Sequence, residues 1–171
     1  MIQRPSPSDD WIALATEKYL ITVYRLAYAR TRSRQDAEDV TQEVMLKLIA
    51  HAGEIKSESH LRAWLIRVTV NQSISLFRSA WRRLTLPLNE QALHDVQSQA
   101  HSQLDDALRA LSPKLRVVIH LYYYERMSIK EIADALQLHP EAVKSRLHRA
   151  RKALKIELTE EGRHDDVSGN V

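Results

Sequence analysis

The chain has 171 residues, which is enough for one domain or for two small ones. Its three glycines, five prolines and single phenylalanine favour helices over a β fold, and the absence of cysteine excludes disulfides and cysteine-based zinc sites. The sequence contains neither an apolar run long enough to cross a membrane nor a recognisable signal peptide, so we expect a cytoplasmic protein that does not insert into membranes.

The first half of the chain predicts three helices. The first begins at Asp9 or Asp10 and ends near Thr31. Ser33 is placed to cap the second helix, which extends over 34–50. One face of this second helix is apolar, and the opposite face is acidic and polar, with Asp36, Asp39, Gln42 and Glu43.

A polar loop over 51–59 leads into the third helix, predicted over 60–82. One face of this helix is strongly apolar. From Leu61 to Arg83 the sequence contains no acidic residue. The arginines of this stretch are Arg62, Arg67, Arg78, Arg82 and Arg83. A cationic surface on the third helix is therefore expected.

The second half opens with a predicted flexible linker over 84–101, which contains one proline, three Gln, one Ser and no Lys or Arg. A helix is predicted over 103–111. The pair Ser112-Pro113 then opens another helix, because proline is favoured at the first helical position.

The strongest pattern lies between Ser128 and Leu154. Ser128 and Glu131 have the spacing of a capping box, and Pro140 suits the start of a second helix after a short turn. That second helix has an apolar stripe at 3–4 spacing: Val143, Leu147, Ala150 and Leu154. Its other positions are mostly basic: Lys144, Arg146, Arg149, Arg151, Lys152 and Lys155.

This pattern predicts a helix-turn-helix whose second helix lies in a DNA groove. A helical hairpin with a solvated basic face is the alternative. It is less favoured because the capping box, the small Ala133, the short turn and the basic second helix agree. One feature departs from the motif: such turns often contain glycine, and Gln137 occupies that position. The predicted fold class is all-α, with a domain over 9–83, the flexible linker over 84–101, and a second domain over 102–160 that ends in the helix-turn-helix.

Three segments together resemble the extracytoplasmic-function (ECF) sigma factors of the sigma-70 family. DAEDVTQEV (36–44) resembles region 2.2, and HLRAWLIRVTVNQSISLFRSAWRR (60–83) resembles regions 2.3 and 2.4. Residues 104–154, from LDDALRALSPKLRVVIHLYYYERM through the helix-turn-helix, resemble region 4. The segments follow one another in the family's order, so the series is much more specific than any one of them.

The resemblance implies a sigma factor that binds core RNA polymerase and directs initiation at promoter DNA. The expected polymerase contacts are the clamp helices of the β′ subunit and the flap of the β subunit. Many members of the family are regulated by an anti-sigma factor, and the sequence leaves open whether this chain has such a partner. No cofactor or metal is implied.

The family's contact positions can be placed on this sequence. Those that dock on the β′ clamp helices match Asp39, Gln42 and Glu43. Those that read the promoter −10 element match Asn71, Arg78 and Arg82, and the loop Gly53–Ser59 matches the segment that captures a flipped base. Those that read the −35 element match Lys144, Ser145, His148 and Arg149.

Several neighbouring residues are interpreted differently. Ser75 departs from the family, which usually has an aspartate there. Trp64 is expected in the core, whereas Trp81 could serve either as core or as a stacking platform. Arg146 and Arg151 are expected to contact phosphates or to form salt bridges. The run 117–124 is expected to be core.

Three other kinds of protein are alternatives. An enzyme is disfavoured because the sequence has no H-E-x-x-H motif, nucleophile elbow or glycine-rich phosphate loop, and we assign no catalytic residue or metal ligand. A polymerase-independent helix-turn-helix regulator would leave the acidic second helix and the cationic third helix without a role. A protein-interaction module, whose basic helix meets an acidic partner, would bind no DNA.

Overall fold

The computed structural model describes the backbone of residues 9–84 and 103–165, with side chains over 10–76, at 78 and over 104–155. Within these ranges every regular element is a helix. The helices are α1 (Asp9–Thr31), α2 (Arg34–His51), α3 (Glu58–Leu84), α4 (Gln103–Ala110), α5 (Pro113–Ile119), α6 (Ile129–Leu136) and α7 (Pro140–Asp165). A 3₁₀ turn, Ala52–Glu54, follows α2, and a π-helical turn, His120–Tyr124, follows α5. Apart from Leu84, the predicted linker over 84–101 lies outside the described residues.

The chain divides into two compact units, and the first is built from α1, α2 and α3. Each of the three helices contributes an apolar face to one core. From α1 come Tyr19, Val23 and Ala27, from α2 come Val40, Val44 and Leu48, and from α3 come Leu61 and Leu65. The spacing of three and four residues within each set is that of one helix face, and α2 has the apolar face that its sequence predicts.

In the second unit, α4 and α5 pack on α7. Fully buried Val118, Leu121, Val143 and Leu147 are among its largest core side chains. Arg116 is also buried, and its guanidinium donates hydrogen bonds to the carbonyl oxygens of Leu111 and, at 3.2 Å, of Arg109. This side chain therefore satisfies carbonyl groups at the end of α4 that have no partner within the helix.

Ser33 and Ser112 both precede a helix as predicted, but only Ser33 makes a capping hydrogen bond. The Ser33 hydroxyl accepts a hydrogen bond from the Asp36 N–H at 3.2 Å, at the start of α2. Ser112 lies before Pro113 as predicted, with extended backbone, but its side chain makes no capping hydrogen bond. Proline at the first helical position has no N–H, so one fewer backbone donor lacks a partner there. A capping side chain therefore adds less stability at this helix start.

Three residues that are not glycine adopt left-handed backbone at the ends of helices. Arg32 has φ 56°, Arg126 has φ 53° and Gln137 has φ 54°. The chain reversal in each case closes a hydrogen bond back to the helix; for example, the Leu138 N–H donates to the Ala133 carbonyl at 2.9 Å. This conformation is destabilising by about 1–2 kcal/mol for a residue with a Cβ, whereas glycine adopts it without that strain.

Gln137→Gly should therefore stabilise the protein. Relief of the left-handed strain outweighs the greater freedom of glycine in the unfolded chain, and the expected net gain is about 0.5–1 kcal/mol. Urea unfolding of the full chain, followed by circular dichroism, measures this change. Lys152→Gly, at an exposed position inside α7, is the matched control and should destabilise by about 1 kcal/mol. A loss of stability in Gln137→Gly would show that the Gln137 side chain contributes more than the strain costs.

Candidate functional surfaces

The exposed side of α2 carries the first candidate surface. Burial of Ala37, Val40, Val44 and Leu48 turns the opposite side of the helix to solvent. Asp39, Gln42 and Glu43 are all exposed and, at spacings of three and four residues, they form one stripe. Carboxylates at this spacing can form charge-assisted hydrogen bonds with the arginines of a partner.

Two large apolar side chains continue this stripe. Leu46 and Ile49 are each 56% exposed, although both lie in the middle of a helix that buries most of its apolar residues. We use the name α2 surface for Asp39, Gln42, Glu43, Leu46 and Ile49 together. Its acidic part lies toward the start of α2 and its apolar part toward the end, so it fits a partner that offers cationic and apolar groups in the same order.

The loop between α2 and α3 is held by side-chain contacts at both ends. At its start, the His51 ring lies 3.0 Å from the Glu54 carboxylate. At its end, the Ser57 hydroxyl accepts from the His60 N–H at 3.1 Å, and the His60 Nδ1 accepts from the Lys56 N–H at 3.1 Å. These contacts give the loop a defined path between the two helices.

Glu58, the first residue of α3, ties this loop to α1. Its carboxylate accepts hydrogen bonds from the Lys18 ammonium and, at 3.0 Å, from the Tyr19 hydroxyl. These two donors, Lys18 first, hold the pKa of the Glu58 carboxyl below its usual range, and the same contact raises the pKa of Lys18. The loop over 53–59 is thus anchored to the unit's core helices.

The second half of α3 carries the next candidate surface. Asn71, Ser75 and Arg78 are exposed and follow one another at spacings of four and three residues, so they lie on one face of the helix. Arg82 continues this spacing, but its side chain lies outside the described residues. Beside Asn71, the Gln72 side chain accepts a hydrogen bond from the Lys47 ammonium at 2.6 Å, which joins α3 to α2.

The helix-turn-helix has the local structure that its sequence predicts. The Ser128 hydroxyl accepts from the Glu131 N–H at 3.2 Å, and the Glu131 carboxylate accepts from the Ser128 N–H at 2.7 Å. This is a complete capping box at the start of α6. Pro140 is the first residue of α7, and the preceding His139 accepts from the Glu141 N–H at 3.4 Å through Nδ1.

The exposed side of α7 is the third candidate surface. Val143, Leu147 and Ala150 are buried, and this orients the remaining positions outward. The residues predicted to read the −35 element are all exposed: Lys144, Ser145, His148 and Arg149. We call these four the α7 surface. The Arg149 Nε lies 3.5 Å from the Ser145 carbonyl oxygen, and Lys144 forms an ion pair with Glu141 at 2.7 Å. Contacts within α7 therefore orient both cationic side chains.

The described residues hold no group of three or more His, Asp or Glu side chains that could bind a metal ion. None of the described helices combines the length and hydropathy that a membrane span requires.

Comparison with known proteins assigns the family. Residues 16–83 match the family model of sigma-70 region 2, and residues 101–154 match that of sigma-70 region 4. The ECF RNA polymerase sigma factor SigL of Mycobacterium tuberculosis is 35% identical over 155 residues, which cover 85% of this chain and 88% of SigL. The chain belongs to the ECF RNA polymerase sigma factors. It is therefore an initiation factor that binds core RNA polymerase and directs promoter-specific transcription.

Other relatives of this sigma factor agree with that assignment. The RNA polymerase sigma-E factor of Streptomyces coelicolor is 34% identical over 129 residues, covering 72% of each chain. Among solved structures, the sigma factor RpoE of Bartonella quintana, determined in complex with the anti-sigma factor NepR, has a TM-score of 0.73 at 24% identity. That likeness covers 89% of this chain and 98% of RpoE, and it shows that the fold is shared.

The burial of the aromatic and large apolar residues of this sigma factor agrees with the sequence prediction at some positions and differs from it at others. Trp64 packs partly buried against the first core, as predicted. The run 117–124 was expected to be core, but Tyr123 and Tyr124 are 52% and 64% exposed. Leu46 and Ile49 were not singled out at all, although both fall off the buried 3–4 stripe of α2, which is the signal that could have revealed them.

Arg146 and Arg151 also have specific environments. Arg151 was expected to contact phosphate or to form a salt bridge. In the structure its Nε donates to the Tyr123 hydroxyl at 2.9 Å, and its guanidinium stacks over the Tyr122 ring at 5.4 Å; a phosphate contact stays a prediction. Arg146 is half-buried, and burial lowers the pKa of its guanidinium. The Arg151 side chain thus joins α7 to the π-helical turn within the second unit.

Proposed function

We propose that three surfaces divide the work of this sigma factor in the cytoplasm. The α2 surface docks on the clamp helices of the β′ subunit. The loop over 53–59 and the exposed face of α3 open and read the −10 element, and the α7 surface reads the −35 element. The unit that contains α7 would also meet the β flap. A polymerase-independent regulator would need no docking surface on α2.

One observation carries this proposal. All nine predicted contact residues with a described side chain are exposed: Asp39, Gln42, Glu43, Asn71, Arg78, Lys144, Ser145, His148 and Arg149. On α2 and α7 the positions that alternate with them, such as Val40 and Leu147, are buried in the core. These side chains therefore do not hold the fold together, and they are available to partners.

The assignment to the −10 element rests on the chemistry of α3 and its loop. Melting requires that bases leave the stack and be held by protein, and amide and guanidinium groups such as Asn71 and Arg78 can bind both base edges and backbone. Ser75 lacks the charge of the aspartate usual at this position. The local contact it makes should therefore differ from the family's.

The assignment to the −35 element rests on the exposed cations and polar groups at the start of α7. In a helix-turn-helix, the first turns of the second helix meet base edges in the major groove. Lys144, Ser145, His148 and Arg149 lie in these turns. Sigma factors are initiation factors without enzymatic activity, and we assign no catalytic residue, cofactor or metal.

Arg149→Ala should reduce transcription and relax the −35 preference. A base contact discriminates among sequences by about 1–3 kcal/mol, and its loss flattens the differences among −35 variants. Arg151→Ala is the matched control, because its guanidinium is held by tyrosines; it should leave the relative preference unchanged. Multiple-round transcription on a set of −35 variants measures both. If Arg149→Ala lowered every variant by the same factor, Arg149 would contact phosphate only.

The experiment that tests the whole proposal is transcription in vitro with core polymerase on genomic fragments, with start sites mapped at nucleotide resolution. The expected result is a set of start sites that share two upstream elements and that depend on the sigma factor. Variants of the α2 surface should remove all transcripts, whereas variants of the α7 surface should change which promoters are used. If variants of the α7 surface also removed all transcripts, instead of changing which promoters are used, this division of roles would be wrong.

A further inference from the structure

The turn before α6 contains an unusual residue. Arg126 has φ 53°, the left-handed conformation that glycine adopts without cost, and the reversal lets the Met127 N–H donate to the Leu121 carbonyl at 3.0 Å. Met127 is buried at this point, whereas the Arg126 side chain is exposed. The turn depends on the backbone conformation of this residue, and none of its backbone hydrogen bonds involves the arginine side chain.

The other left-handed arginine offers a comparison. Arg32 has nearly the same φ, 56°, and its guanidinium stacks over the Tyr28 ring at 5.1 Å. An internal contact thus accompanies the strain at that position. Among the described residues, Arg126 has neither a hydrogen bond nor an ion pair nor a ring contact for its side chain. A long cation is therefore kept in a disfavoured conformation, and no described side chain or backbone group binds it.

The position of Arg126 in the motif indicates an external partner. It lies two residues before Ser128, the cap of α6, which is the first helix of the helix-turn-helix. When the second helix of such a motif lies in the major groove, the first helix crosses the sugar–phosphate backbone. A guanidinium at this end of α6 would meet phosphate oxygens, with which it can form charge-assisted hydrogen bonds.

The neighbouring charges favour an anion. Lys130, in the first turn of α6, is exposed as well. Two acids are close by. Glu125, the residue before the arginine, is mostly buried, and its carboxylate lies 3.6 Å from the His120 Nε2. The Glu131 Oε2 accepts hydrogen bonds from the Ser128 N–H and hydroxyl, each at 2.7 Å. The Glu131 carboxylate is thus turned back onto the cap and the Glu125 carboxylate lies against His120, while two exposed cations remain at the N-terminal end of α6.

We propose that Arg126 contacts a DNA phosphate at the edge of the −35 element and extends the footprint of region 4 beyond the α7 surface. The contact is independent of sequence: it adds affinity and helps to fix the register of α7 in the groove. This inference rests on the proposed role of α7 in reading the −35 element.

The test compares Arg126→Gly, Arg126→Lys and wild type as holoenzymes, on a duplex carrying a promoter recovered from the start-site mapping. Arg126→Gly should unfold at higher urea concentration, because the strain is relieved, and yet bind about three- to tenfold more weakly. The loss should be equal for every −35 variant. The slope of log affinity against log salt should become shallower by about 0.9, the value for one lost phosphate contact. Arg126→Lys keeps the charge and should retain most of the affinity.

Arg32→Gly is the matched control, because it removes one charge and one left-handed strain in the other unit. It should leave promoter affinity and the salt slope unchanged. Wild-type affinity and slope in Arg126→Gly would overturn the proposal, as would a loss confined to particular −35 sequences. Failure of the proposed function would give a different result: if α7 did not read the −35 element, Arg149→Ala would leave the −35 preference intact.

Discussion

Asp39→Arg combined with Glu43→Arg should abolish the association of this sigma factor with core RNA polymerase. Both carboxylates are exposed on the α2 surface, and reversing two charges converts attraction into repulsion at the interface. Such a reversal costs several kcal/mol, or about a thousandfold or more in affinity. Co-purification of the sigma factor with β′, followed by a binding titration, measures the effect.

The fold should survive this double substitution, because neither side chain belongs to the buried stripe of α2. Glu17→Arg, an exposed charge reversal on α1, is the control for a general effect of charge and should bind core polymerase normally. Leu46→Ala with Ile49→Ala should weaken binding to a lesser extent, because it removes apolar contact without adding repulsion. Unchanged co-purification of Asp39→Arg/Glu43→Arg with β′ would rule out docking through the α2 surface.

Changing the distance between the −10 and −35 elements by several base pairs should abolish transcription even when both elements are intact. Each DNA-reading surface is small, and a net charge of +3 provides little nonspecific attraction to DNA. The predicted linker over 84–101 contains no Lys or Arg. This segment is therefore a poor DNA ligand, and the chain by itself should bind promoters weakly.

Core polymerase would convert these two weak contacts into a strong one. Once both units are bound to polymerase, the second DNA contact forms at high effective concentration, but only when the elements have the matching separation. Transcription from a spacer-length series, with each length tested at several sigma concentrations, measures this. A promoter in which only the −35 element is scrambled is the control for loss of one contact. Tight, specific binding of intact promoters by the chain without polymerase would contradict the prediction.

The helices and their caps could be predicted from the sequence because their determinants are local. Ser33 caps α2 through a hydrogen bond to Asp36, three residues away, and Ser128 with Glu131 forms the capping box of α6. The alternation of apolar and polar positions likewise placed Val143 and Leu147 inside and Arg149 outside. Interactions that span one helical turn are visible in the sequence.

Other features depended on which neighbour covers a given face. Leu46 and Ile49 are apolar, and only the packing of α1 and α3 against the opposite side of α2 left them in solvent. The sequence likewise indicated that the turn before α7 favours glycine. That Gln137 nonetheless adopts the left-handed conformation, with φ 54°, is a property of the folded turn.

The π-helical turn is the clearest case in which only the tertiary structure decided the outcome. The Glu125 N–H donates to the His120 carbonyl, five residues back, at 3.2 Å, so the helix there is wider than an α-helix. This changes the face on which the following side chains emerge, and a period of 3.6 residues no longer predicts burial. Leu121 is consequently buried while Tyr123 and Tyr124 reach solvent.

Arg151, thirty residues along the chain from Leu121, is held by Tyr122 and Tyr123, because α7 brings it beside that turn. The sequence determined the helices and their polar faces through contacts within one turn, whereas the partner of Arg151 depended on contacts between distant segments.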